Sequence, residues 1–289
     1  MGKGAMSNSI EELGDTDYLL VLGSNTTETH PVIALRMKKA VRKGAKLTVV
    51  DPRKIELTKW ATRHMQPKIG TDIALLNAMC HVIIKEGLYD QSYIDRKTEG
   101  FEGLAAHLDM YTPEYAERVT GVPAQDIIDT AREYAEASPK AAVCYTLGIT
   151  EHICGVDNVQ SLCNLVLMTG NIGREGTGVN PMRGQNNIQG AGDSGAIPSS
   201  YPGFQTVEDP ANQAKFQEFY GREIDLEKGI TKVRALQLCG DKIHAMLIDG
   251  ENTIVSDPDR EHCQKALKSL KHLVVIDIFL TETAELADV

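Results

Sequence analysis

The chain has 289 residues, 42% apolar and 24% charged, and carries a net charge of −10 from 30 basic and 40 acidic residues. This is the composition of a soluble globular protein of one large or two ordinary domains. An acidic balance argues against nucleic acid as a main partner, because phosphate binding needs a basic surface.

The N-terminus, MGKGAMSNSIEELGDTDYLLVLG, lacks the apolar core and small-residue cleavage site of a signal peptide. DYLLVLGSN (17–25) then reads as a buried parallel strand ending in a glycine turn. HPVIALRMKKAVRKG predicts a helix, with Pro31 in its first turn and Gly44 at its C-terminal end. AKLTVVDPR (45–53) predicts a second buried strand, broken by Pro52. Together they form the βαβ crossover of a doubly wound sheet.

TDIALLNAMCHVIIKEG (71–87) predicts an amphipathic helix capped by Thr71 or Asp72 and ended by Gly87. Residues 88–120 read as helical pieces broken at Gly100, Gly103 and Pro113. VPAQDIIDTAREYAEAS (122–138) predicts another helix with Pro123 at its first position. KAAVCYTLG (140–148) predicts a strand and VDNVQSLCNLVLMTG (156–170) a helix stopped at Gly170.

From Gly170 to about Gly229 the chain turns rich in Gly, Asn, Gln, Ser and Pro, with one helix expected near 210–219. Residues 231–250 then predict one or two strands. Residues 258–270 predict a helix capped by Ser256 or Asp257, and 271–283 a strand. The expected architecture is α/β, with two doubly wound, mainly parallel-sheet domains over 1–185 and 186–289. The final AELADV stops without a turn or cap, so the chain is expected to be part of something longer.

Six cysteines, Cys80, Cys144, Cys154, Cys163, Cys239 and Cys263, are scattered without a CxxC pair. They read as reduced thiols of a cytoplasmic protein rather than ligands of zinc or an iron–sulfur cluster. No run approaches the roughly 18 apolar residues of a membrane span. No HExxH or GxSxG motif occurs, and no metal ligand is expected from this chain. The basic run RMKKAVRK (36–43) reads as a solvated helix face.

The turn after the first strand, GSNTTETHP, lacks the GxGxxG fingerprint of a nicotinamide-dinucleotide site. A plain βα turn and a site for another nucleotide-bearing ligand both remain open. Asp51 ends the next strand, and Gly70–Asp72 starts a helix. If the strands are parallel, these loops share the carboxyl edge where ligands bind. His30, His81 and His152 read singly as core or surface histidines.

The outlier is GVNPMRGQNNIQGAGDSGAIP (178–198), with five glycines, three asparagines, two glutamines and one arginine. Amides supply donors and acceptors, and arginine supplies a fixed fork of donors. The set suits a large polar ligand plus a small anion, or equally an ordered interdomain loop.

The stretch TGNIGREGTGVNPMRGQNNIQGAGDSGAIPSSYPGFQ (169–205) resembles the catalytic (alpha) subunits of formate dehydrogenases in the molybdopterin oxidoreductase family. GKGAMSNSI, DPRKIE, GTDIALLNA, TEGFE, YTPE, TGV, DGEN and DIFLTETAELADV fall in the same order. The resemblance implies molybdenum or tungsten held between two molybdopterin guanine dinucleotides, with formate oxidised to CO2. It makes Arg183 the active-site arginine and puts Gln185 at the pterin or substrate pocket. It assigns Gly23, Asn25, Asp51, Arg53, Gly70 and Asp72 to one dinucleotide, with Gly148 and Thr150 near the pterin. Gly250, Glu251, Asn252, Asp277 and Thr281 would serve the other.

The resemblance also implies electron-transfer subunits or a ferredoxin as partners, besides the remainder of the same subunit. The family's 4Fe-4S domain, its metal-ligating Cys or selenocysteine and its C-terminal domain are not matched here, so the chain alone is expected to be inactive. Other fragments of the wider family, of formylmethanofuran dehydrogenase or nitrate reductase type, and a metal-free nucleotide-binding module are the alternatives.

Overall fold

The computed structural model describes residues 5–224 and 227–289. Residues 2–4 of the matched GKGAMSNSI stretch lie outside the described residues. The chain divides into two compact units, 1–186 and 187–289.

The first unit runs β1 (Tyr18–Leu22), α1 (Thr26–Thr29), α2 (Pro31–Arg42), β2 (Lys46–Val50), β3 (Arg63–Met65) and α3 (Asp72–Lys85). It continues with α4 (Gln91–Lys97), α5 (Phe101–Leu108), α6 (Pro113–Thr120), α7 (Ala124–Glu136), β4 (Ala141–Tyr145), α8 (Leu147–Thr150), α9 (Gly155–Met168) and β5 (Gly178–Pro181). The five strands form one sheet in the order β3-β2-β1-β4-β5, every neighbouring pair parallel.

All five residues of β1 are buried, which is why its sequence is continuously apolar instead of alternating. Tyr18, Leu20 and Leu22 join a core with residues of α3, α7 and α9. Leu19 and Val21 point the other way, into a smaller core with Ile33, Met37 and Ala40 of α2. Chain order proceeds outward from β1 to β3, then returns to the far side of β1 as β4. That reversal creates a crevice at the carboxyl ends of β1 and β4.

Several local expectations are corrected. Gly103 lies inside α5 and breaks nothing. Thr71 is the N-cap residue of α3, but its hydroxyl donates to the Lys68 carbonyl at 2.6 Å instead of capping the helix. Residues 178–181 are the fifth strand. Their polar composition hides a strand whose Asn180 is fully buried, donating to the Thr177 carbonyl.

The second unit contains α10 (Ile188–Asp193), β6 (Ser200–Tyr201), β7 (Gln205–Thr206), α11 (Pro210–Tyr220), α12 (Lys232–Leu238), β8 (Ala245–Asp249), α13 (Thr253–Ser256), α14 (Arg260–Lys268) and β9 (His272–Ile276). β8 and β9 pair in parallel, joined through α13 and α14, and Cys263, Ala266 and Leu267 of α14 share a core with Ile248 of β8 and Leu273 of β9. Among the described residues the parallel sheet of this unit has two strands. Residues 232–238 are helical, not extended, because the Thr231 hydroxyl accepts from Arg234 N–H and starts a helix. Asp259, rather than Ser256 or Asp257, caps α14 by accepting from His262 N–H at 3.1 Å.

Candidate functional site

Parallel strands end together, so the loops that follow β1, β2, β3 and β4 converge on one edge. There they enclose a pocket of about 510 Å³. Its wall includes Gly23 and Asn25 after β1, Asp51 and Arg53 after β2, and Gly70 and Asp72 after β3. Gly148 and His152 follow β4, and Met182 and Gly184 follow β5.

The floor is backbone. Gly148 N–H donates to the Gly23 carbonyl at 3.2 Å, and Thr146 Oγ1 donates to the same oxygen at 2.6 Å. A Cβ on Gly148 would lie 2.5 Å from Gly23 Cα, so only glycine permits this approach. Gly23 also has φ +52°, the left-handed region that glycine adopts without strain. The two bare loops leave room for a ligand to lie against main chain.

Charges of both signs ring that floor. Asp51 is buried and accepts from its own turn through Arg53 N–H at 2.8 Å. The exposed Arg53 Nε lies 3.8 Å from the same carboxylate. Asp72 opens α3; burial pushes its pKa up, and the nearby His152 partly offsets this. His152 Nε2 is 2.8 Å from the Gly148 carbonyl and 3.9 Å from Asp72 Oδ2. Since a carbonyl only accepts, Nε2 carries the proton. Carboxylates suit the hydroxyl and base-edge donors of a nucleotide; Arg53, Lys68 and the histidines suit its phosphates.

Seven of the residues singled out from sequence therefore share this wall: Gly23, Asn25, Asp51, Arg53, Gly70, Asp72 and Gly148. Thr150, the exposed last residue of α8, is not on the wall. Arg183 and Gln185 are exposed, in the loop after β5 whose Met182 and Gly184 do line the pocket. Charge on Arg183 reaches Tyr145, at the end of β4, where it offsets part of the rise in the tyrosine pKa that burial causes. His30 and His152, read singly from the sequence as core or surface histidines, line the pocket as well. Their spacing carries no motif. The available signal was positional: one precedes Pro31, the other follows Gly148 by four residues.

The second set gathers at the carboxyl edge of β8 and β9. Gly250 N–H donates to the Ile276 carbonyl at 2.8 Å. Asn252 Oδ1 accepts from Thr283 Oγ1 at 2.8 Å, and its amide donates to Glu282 at 2.7 Å. Glu251 pairs with Lys232. Asp277 accepts from Phe279 N–H, and Thr281 Oγ1 accepts from Ala284 N–H, both at 3.1 Å. Each of the five thus sits in a turn of one edge.

Among the described residues no group of three or more His, Cys, Asp or Glu could hold a metal ion. No helix among them is long and apolar enough to cross a membrane.

The F420-dependent formate dehydrogenase subunit alpha of Methanocaldococcus jannaschii is 50% identical over 288 residues, which are 100% of this chain and 42% of that protein. Formate dehydrogenase H of Escherichia coli is 44% identical over 293 residues, 100% of this chain and 41% of that protein. The chain thus spans about two fifths of the length of these curated relatives. Among solved structures, acetylene hydratase from Pelobacter acetylenicus superposes with a TM-score of 0.74 at 20% identity, over 96% of this chain and 43% of that one. This likeness concerns the fold. The family model described as molybdopterin oxidoreductase matches residues 2–289, and with the crevice at the sheet's switch point it establishes that the chain belongs to the molybdopterin oxidoreductase family.

Proposed function

We propose that this chain is the central part of a formate dehydrogenase catalytic subunit, in which Arg183 holds formate. One observation carries the reading. The arginine–amide run leaves the carboxyl end of β5 beside the pocket, with Met182 and Gly184 on the pocket wall and Arg183 between them. The alignment of the whole chain with formate dehydrogenase alpha subunits supports it and favours no other branch of the family.

Family membership implies a molybdopterin cofactor carrying molybdenum or tungsten. The first unit fits such a group: a floor without side chains at Gly23 and Gly148, and a rim bearing both carboxylates and cations. We assign Gly23, Asn25, Asp51, Arg53, Gly70 and Asp72 to one guanine dinucleotide, with Gly148, Thr150 and Gln185 toward its pterin. Gly250, Glu251, Asn252, Asp277 and Thr281 are assigned to a second.

When bound, the metal centre supplies the acceptor for the two electrons that leave formate. The chain's own contribution is to bind and orient. The planar guanidinium of Arg183 can meet both oxygens of a carboxylate with parallel N–H donors. A cation held there binds and orients the carboxylate, and its hold weakens as the oxygens lose their negative charge in becoming neutral CO2, which favours release of the product. Electrons would pass onward through a 4Fe-4S cluster to partner subunits or a ferredoxin. We place the enzyme in the cytoplasm, a setting compatible with the free Cys154, Cys163 and Cys239, which are only partly buried.

The test is made on the longest natural polypeptide that contains this chain. Purified anaerobically, it should contain molybdenum or tungsten, release guanine nucleotide on acid treatment and reduce a viologen dye with formate. Cofactor content without any formate-dependent reduction would remove formate as the substrate. Absence of both metal and guanine would leave a metal-free nucleotide-binding module.

A further inference from the structure

Residues 25–30 and the Arg183 loop are linked by a chain of hydrogen bonds to which the reaction outlined above assigns no role. His30 Nε2 lies 2.6 Å from the Arg183 backbone carbonyl, 153 residues away in sequence. A carbonyl can only accept, so Nε2 carries a hydrogen and donates it. The other ring nitrogen, Nδ1, lies 2.8 Å from Thr29 Oγ1, and Thr29 N–H donates to the Asn25 carbonyl at 3.1 Å. Asn25, Thr29 and His30 all line the pocket, as do Met182 and Gly184 on either side of Arg183.

The imidazole is well placed to act as a fixed post. His30 N–H donates to the Thr26 carbonyl at 2.9 Å, closing α1, and its own carbonyl accepts from Ala34 N–H at 2.9 Å, opening α2. Pro31 holds the start of that helix, so the backbone bearing the ring is tied on both sides. The Arg183 loop is held differently. Met182 N–H donates to the Tyr145 carbonyl at 2.9 Å where β5 gives out, and Gly184, Gln185 and Asn186 beyond it are exposed. The His30 bond grips the loop one residue past that point, on the pocket side.

We propose that His30 is the positioning residue for Arg183. It registers the arginine against the Gly23–Asn25 turn, so that a ligand seated on the turn and an anion held by the arginine keep a constant separation. The role given to the arginine rests on the formate reading above; the tethering of the loop does not.

Amide hydrogen exchange on the 289-residue chain, read by mass spectrometry, tests the tether without cofactor. In His30→Ala, exchange of the Met182 amide, which donates to the Tyr145 carbonyl at the start of the tethered loop, should speed up about tenfold, while β1 and α3 keep their protection. His30→Gln, whose amide nitrogen can reach the place of Nε2, should restore most of the difference. Unchanged exchange of the Met182 amide in His30→Ala overturns the proposal, and so does an equal loss of protection in β1, which would mean general destabilisation. A second arm uses the cofactor-loaded longer polypeptide. His30→Ala should raise the KM for formate about tenfold with a smaller fall in kcat, and should add nothing to an Arg183→Ala background. Full additivity in that cycle also overturns the proposal. A positive exchange result in a protein that does not oxidise formate would reject the substrate and keep the tether.

Discussion

Gly23 and Gly148, on loops following adjacent strands, touch main chain to main chain through a 3.2 Å hydrogen bond from Gly148 N–H to the Gly23 carbonyl. A methyl group at either position would collide with the backbone of the other, at 2.7 Å from Gly23 and 2.5 Å from Gly148. Gly148→Ala should therefore push the two loops apart. The expected cost is about 1–3 kcal/mol, the usual price of overpacking, read as a lowered urea midpoint. Guanine nucleotide recovered with the protein should fall in parallel. Unchanged stability would mean that the loops separate freely.

Arg183→Ala in the cofactor-loaded polypeptide should lower kcat/KM for formate by about 10²–10³, in line with loss of two charge-assisted hydrogen bonds to the carboxylate. Arg183→Lys should recover little, since a point charge cannot offer two parallel donors. Steady-state dye reduction at varied formate measures both. Activity close to that of the unmodified protein in Arg183→Ala would remove the arginine from the reaction.

Asn171, in the TGN stretch, is fully buried and serves the fold. Its amide donates to Ser138 Oγ at 2.7 Å and Thr169 Oγ1 at 2.9 Å, and its Oδ1 accepts from Ala141 N–H at 3.2 Å. It thus ties the start of β4 to the turn after α9. Asn171→Ala leaves several of these groups unpaired in the interior, at about 1–3 kcal/mol each. Chemical denaturation should find it among the more damaging single substitutions in the first unit.

Arg63 fastens the edge strand β3 to α7. Its guanidinium is 2.7 Å from Glu133, 3.5 Å from Asp126 and 3.6 Å from Asp129, with the side chain 17% exposed. Arg63→Met removes the cation that three carboxylates share. A loss of about 1–3 kcal/mol is expected, typical of hydrogen bonds to charged groups, and added salt should shrink it. Because β3 leads into the Pro67–Asp72 wall, exchange there should also speed up.

Glu12 supplies an acid-sensitive hold on the N-terminal segment. Its carboxylate accepts from the Asn8 amide, from Ser9 N–H and Oγ, and from Gly176 N–H. These bonds lower its pKa from 4.5 to about 2, with Asn8 the largest cause. A pKa depressed in the folded state stabilises above the unfolded value and is lost as pH falls through the folded one. The stability difference between the unmodified protein and Glu12→Gln should therefore be full above pH 4.5 and vanish toward pH 2. Urea midpoints measured across that window decide it; a difference that persists at pH 2 would contradict the assignment.

Much of the first unit was legible because apolar runs bounded by glycine have a direct physical meaning. Tyr18–Leu22 and Ala141–Tyr145 are buried on both faces, so their sequences are continuously apolar. Gly44, Gly87 and Gly170 follow helices and adopt positive φ. The failures share a cause. β5 is hard to read in the sequence because Gly178–Pro181 is short and polar and is held by distant chain: it pairs with β4, and Val179 exchanges bonds with Ser7 through its N–H and its carbonyl. α12 reads as a strand in the sequence because Val233, Leu236 and Leu238 fit either period in so short a run.

By itself, the sequence determined the α/β class, the turn at Gly23 and the arginine–amide run, since these depend on local patterning and on residue types with few substitutes. Only the tertiary structure decided which loops share a pocket. Strand order is set by long-range packing, and it brings Gly148 onto Gly23 across 125 positions and His30 onto Arg183 across 153. The His30 pairing leaves no local signature, because a hydrogen bond to a backbone carbonyl places no demand on the side chain of the residue that accepts it; the Gly23–Gly148 contact demands glycine at both positions, but two distant glycines do not show that they face each other.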